Sequence, residues 1–250
     1  MRLAPARPRR LALPRSARRI LHIRSARLRL RLANPLAAAL VAIAAGPAVA
    51  HHVGAYVPRD NEVSANFKQI KFSIQARKFD VALRLFETGA VRAEMRAQAT
   101  RLPAGLEEAT RAALGAGDGA RAERGLMVFF AALVRDLALE ADRRLGDTNE
   151  PAEARAAAGQ KFLEAIWRYY NLVDFAVSQY DPKAAVAVRL AFDEAEGYAR
   201  GGTAAAGGNV APESKRVTAR QVAAPNPEKM REPLQRLART LSGLIETFTP

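Results

Sequence analysis

Residues 126–141 read LMVFFAALVRDLALEA, and this stretch decides the fold. Leu126, Phe130, Leu133 and Leu137 recur at the three- and four-residue spacing that places side chains on one face of an α-helix. The charged residues of the stretch fall mostly outside that face, as an amphipathic helix requires. We therefore predict a long helix here with one buried side.

The same periodicity recurs on both sides of this stretch. A first helix follows Asn61, a second runs from Phe79 until Pro103 stops it, and a long aromatic helix ends where Asp181 precedes Pro182. No segment alternates apolar and polar residues with the period of two that a strand requires. The sequence predicts an all-α protein, a helical bundle of about five to six helices built from stacked helical hairpins.

Composition divides the second half of the chain. A bundle domain at 62–199, preceded by an arm at 51–61, gives way at 200–227 to a Gly-, Ala- and Pro-marked stretch that is typical of a flexible linker. An amphipathic helix is predicted over 228–250. Its apolar face either packs back onto the bundle or docks onto a partner, another periplasmic or membrane protein. That face contains Leu234, Leu237, Leu241, Leu244, Ile245 and Phe248.

The first fifty residues have the layout of an export signal. An Arg-rich stretch precedes the apolar run 35–45, and small residues then lead to Ala50. The run is too short to span a membrane, which takes about 20 residues. We therefore predict that residues 1–50 are cleaved and that the mature protein is periplasmic or secreted, without a membrane span. An organelle-targeting peptide is the alternative.

Charge and cysteine content narrow the function. The chain carries a net charge of +14, but eleven of its 39 Lys and Arg residues and none of its 25 Asp and Glu residues lie before residue 51. The remainder is close to neutral, so nucleic acid is not an expected partner. The chain contains no cysteine, so we expect neither a covalently attached haem c nor an iron–sulfur cluster, because both require thiol groups.

The sequence contains few of the residues and motifs that are typical of enzymes. No nucleotide-binding motif and no nucleophile elbow occur, and none of the three histidines (His22, His51 and His52) falls within a predicted helix. We therefore predict a protein that is not an enzyme. A carboxylate-based enzyme remains the third alternative, because Asp136 and Glu140 lie one turn apart. Further side chains with oxygen atoms that could bind a hard cation lie along the aromatic helix, at Glu164, Tyr169, Tyr170 and Asp174.

His51 and His52 are the candidate metal ligands. Cleavage after Ala50 makes His51 the mature N-terminus, which brings a free α-amine and two imidazoles together. Nitrogen ligands of this kind suit copper(II) or nickel(II). The set resembles the copper ligands of exported proteins that begin with histidine, although those take their second imidazole from elsewhere in the fold. The alternative is that the two histidines lie near the cleavage site and bind no metal.

Phe79, Ala82, Phe86 and Gly89 resemble the large and small positions in the second helix of a tetratricopeptide repeat. The resemblance covers 62–90, and no second copy follows about 34 residues later. It implies a hairpin that docks onto protein. The favoured function is a non-enzymatic exported accessory or binding protein, with metal handling through His51 and His52. The alternative is a helical-hairpin interaction module without metal.

Overall fold

A computed structural model describes residues 59–201 and 224–249. The predicted export signal, most of the arm and most of the linker lie outside the described residues. The helices are α1 (Glu62–Gln75), α2 (Phe79–Thr88), α3 (Ala90–Ala97), α4 (Leu106–Gly115), α5 (Gly119–Leu145), α6 (Ala152–Tyr180), α7 (Pro182–Ala199) and α8 (Pro227–Phe248).

The all-α prediction is confirmed, since the described ranges contain helices and no strands. The predicted count of about five to six is too low, because eight helices occur within these ranges. The break between α6 and α7 lies where the sequence places it. Asp181 accepts a hydrogen bond from the backbone N–H of Ala184 at 2.9 Å, and Pro182 occupies the first turn of α7.

One additional helix end arises at Gly89, where the sequence pattern predicts a continuous helix. Gly89 is extended (φ −101°, ψ 175°) and separates α2 from α3. The buried Asn66 side chain of α1 fills the gap: its amide donates to the Leu85 carbonyl at 3.0 Å and accepts from the Val91 N–H at 3.0 Å. A Cβ atom at Gly89 would lie 2.3 Å from the Asn66 amide nitrogen. Glycine is therefore required here because the amide occupies the space of a side chain.

The four long helices α5 to α8 form an up-down-up-down bundle. Each packs against the next, and α8 closes the ring by packing on both α5 and α7. Ion pairs fix this closure: Arg231 of α8 donates to Asp142 of α5 at 2.8 Å, and Arg236 of α8 pairs with Glu194 of α7. The helices α1 to α4 form a smaller layer that reaches the bundle mainly through α4 and α5.

The C-terminal helix is part of the core. Its apolar face is buried, including Met230, Leu234, Leu237 and Leu241 with no exposed surface. The buried Arg155 guanidinium anchors its first turn by pairing with Glu228 and donating to the Leu145 carbonyl at 2.6 Å. Of the two alternatives for this helix, the structure shows the first: its apolar face packs back onto the bundle. That face is covered by α5 and α7 and is not open to a partner protein.

Candidate binding groove

The two acids one turn apart on α5 are both held by arginines. Arg135 donates to Asp136 at 2.8 Å. Arg143 donates to Glu140 at 2.7 Å and holds the pKa of that carboxyl below its ordinary value by hydrogen bonding. The two carboxylates therefore act as ion-pair partners at the surface of the bundle.

The tyrosines and acids of α6 likewise hold helices together. The Tyr169 hydroxyl accepts a hydrogen bond from Asn61 at 2.8 Å, which fixes the start of α1 on α6. Tyr170 is buried, donates to the Ala185 carbonyl at 3.4 Å, and has a pKa raised above the ordinary tyrosine value by burial. Asp174 accepts hydrogen bonds from two guanidinium nitrogens of Arg189, from Nε at 2.8 Å and from Nη2 at 2.6 Å. Glu164 accepts from Arg168 one turn away on the same helix.

The described residues contain no group of three or more His, Cys, Asp or Glu side chains that could hold a metal ion. His51 and His52 precede Arg59, the first described residue, so their predicted metal site lies outside the described residues. No helix in the described ranges is long and apolar enough to cross a membrane.

A groove of about 400 Å³ opens where α1 separates from the bundle, and we name it the α1–α6 groove. Helix α1 contributes Phe67 and Lys71, and α5 contributes Glu123 and Leu126. The opposite wall belongs to α6, with Leu172, Val173, Phe175, Ala176, Gln179 and Tyr180. This volume lies within the range of ligand pockets, about 300–1,000 Å³.

The floor and the rim of the groove differ in character. Phe67, Leu126 and Val173 are buried and give the groove an apolar floor. Phe67 is itself fixed by an edge-on contact with Phe130, whose ring centroid lies 4.7 Å away. At the rim Phe175 is 68% exposed, so a partner that covers it would remove a large apolar side chain from water.

Two opposite charges border the groove without pairing. The Lys71 ammonium lies over the Phe67 ring, 5.8 Å from its centroid. In the described part of the chain, no carboxylate comes within ion-pair distance of Lys71, and no cation within that distance of Glu123. The groove therefore presents one cation and one anion above an apolar floor.

Exposed apolar side chains continue from the groove onto α7. Phe175 follows Asp174 and Leu190 follows Arg189, so the Asp174–Arg189 clamp holds these two side chains at the same level of the α6–α7 hairpin. Leu190 is 63% exposed, and Val186, one turn earlier on the same face, is 52% exposed. We name Phe175, Val186 and Leu190 the apolar strip.

Neither the groove nor the apolar strip was predicted from the sequence. Phe175 lies outside the apolar stripe of its helix, and an aromatic residue on the polar side of an amphipathic pattern is the signal that was available. Lys71 and Glu123 are separated by most of the α1–α4 layer, so nothing in their spacing indicates a shared site. Comparisons with known proteins find no matching family model, no matching curated protein and no matching solved structure.

Proposed function

We propose that this protein is an exported, non-enzymatic helical binding protein, and that the α1–α6 groove is its binding surface. The observation that carries the proposal is the combination of an apolar floor with the exposed Phe175 ring at the rim. Export is supported by the order of basic, apolar and small residues that ends at Ala50.

The polar groups of the described helices also support a binding role. The carboxylates and tyrosines that the sequence offers for chemistry make contacts between or within helices, including the Asp174–Arg189 clamp and the Asn61–Tyr169 hydrogen bond. These contacts hold α1 and α7 against α6, and α1 and α6 form two walls of the groove. Binding is thus the activity that the arrangement favours.

The test is the binding of an apolar fluorescent probe, N-phenyl-1-naphthylamine, to the purified protein at a concentration where light scattering shows monomers. Ala176→Trp fills the groove from the α6 wall, and we expect it to lose most of the fluorescence increase. Ala157→Trp places the same side chain on an exposed position of the same helix and serves as the control. Equal probe binding by the two variants would place the binding surface elsewhere.

Metal handling is a second proposal, supported by the position of His51 directly after the predicted cleavage site. The α-amine and imidazole of His51, with the imidazole of His52, would bind copper(II) or nickel(II). Intact mass and metal analysis of the native protein test this. We expect a mass that begins at His51 and stoichiometric metal that His51→Ala removes. A metal-free protein, or cleavage at another residue, would contradict the proposal.

A further inference from the structure

We propose that the α1–α6 groove and the apolar strip form a self-complementary surface, and that their partner is a second copy of this chain. The inference rests on the proposed function of the groove and names its occupant. A dimer with two-fold symmetry uses the same patch on both copies, so each feature of the patch must find its complement within that patch.

The apolar part of the surface meets this condition. Phe175 protrudes and is 68% exposed, and the depression beside it has a buried apolar floor. A two-fold axis next to Phe175 brings the ring of each copy over the groove of the other. Each copy thus supplies one protruding ring and one depression that receives it. Large aromatic side chains in such depressions are the residues that typically dominate binding at interfaces.

The charged part meets the same condition. Lys71 and Glu123 border one groove from two helices, and neither has an ion-pair partner among the described residues. If the same two-fold axis passes between Lys71 and Glu123, Lys71 of one copy faces Glu123 of the other, and the reverse contact follows from the symmetry. One unpaired cation and one unpaired anion on the same patch therefore complement a second copy without any additional group.

The extent of the exposed surface favours a second copy over a small ligand. A ligand within the groove would cover its floor but leave Val186 and Leu190 on α7 exposed at 52% and 63%. A protein surface lying across α6 covers the groove and the strip together. Contiguous exposed apolar surface of this kind is typical of protein interaction sites.

Charge reversal in analytical ultracentrifugation provides the test. In Lys71→Glu both cross-copy contacts join two acids, and in Glu123→Lys both join two bases. We expect the dimer dissociation constant of each single variant to rise at least about tenfold, because like charges facing each other across an interface are costly. An equimolar mixture of the two variants restores opposite charges at both contacts and forms a heterodimer. The double variant likewise returns the dissociation constant close to that of the unaltered protein.

Two further variants complete the design. Phe175→Ser removes the protruding ring without opening the core and should abolish the dimer. Lys161→Glu reverses an exposed charge on the same helix outside the patch and should leave dimerisation unchanged. A monomer at every concentration overturns the proposal, as does a dimer that is insensitive to Phe175→Ser and the charge reversals. Groove-specific probe binding by monomers would still support the proposed function, so the two ideas can fail separately.

Discussion

Asn66→Ala tests whether one buried amide holds the α2–α3 junction. The substitution removes the donor to the Leu85 carbonyl and the acceptor for the Val91 N–H, both at 3.0 Å, and leaves these two backbone groups without their partners. A buried polar group that loses its partner costs about 1–3 kcal/mol, so the expected loss in the free energy of unfolding is about 2–6 kcal/mol. The lower end applies if a water molecule enters the space left by the amide.

Urea denaturation followed by circular dichroism measures this loss at a fixed protein concentration. At about 4 kcal/mol, in the middle of the range, the melting temperature falls by about 8–16 °C for a domain of this size. Asn171→Ala removes an exposed amide on α6 and should change stability by less than about 0.5 kcal/mol. A loss below about 1 kcal/mol for Asn66→Ala would refute the reasoning, because two orphaned backbone groups cannot cost so little.

Two further predictions concern a helix end and the carboxyl of Asp193 on α7. Arg77 adopts the left-handed conformation (φ 57°) at the end of α1, as Gly117 does (φ 71°) at the end of α4. Because this conformation favours glycine, Arg77→Gly should stabilise the protein by about 0.5–1 kcal/mol, and Gly117→Ala should destabilise it by a similar amount. Thermal melts of the two variants measure both changes. Burial and the negative charge of Glu196 raise the pKa of Asp193 above its ordinary value, so its ionised form weakens the fold at neutral pH. Asp193→Asn should raise the melting temperature at pH 7, and this gain should shrink as the pH falls towards 4; a gain independent of pH would contradict the cause.

The parts of the fold that the sequence predicts depend on local signals. The apolar spacing from Leu234 to Ile245 appears in the structure as the buried face of α8, with Phe248 partly buried at its end, and the Asp181–Pro182 signal appears as the break before α7. The break at Gly89 depends instead on Asn66, a residue of another helix whose amide replaces backbone hydrogen bonds. Local periodicity carries no information about such a contact, so the pattern predicted one helix where two exist.

The site escaped prediction for a related reason. Lys71 and Glu123 become neighbours of one groove through the packing of α1 on α5 and α6, and their sequence separation gives no sign of it. Phe175 was visible as an aromatic residue on a polar face, but a single exposed apolar side chain is ordinary on protein surfaces. Its significance comes from the depression beside it and from the exposed pair on α7, which are properties of the packed structure.

The way this protein uses its charges links the fold to the proposed surface. Ion pairs join α6 to α7 through Asp174 and Arg189, and α5 to α8 through Asp142 and Arg231. These pairs hold α5 and α6, two of the three helices that line the groove. Lys71 and Glu123 border the groove on helices that other contacts already fix, and neither charge forms an ion pair in the described part of the chain. Reversal of either charge alone should therefore weaken association while leaving the unfolding transition unchanged at concentrations where the protein is monomeric. A loss of stability in the monomer would mean that the two charges support the fold instead.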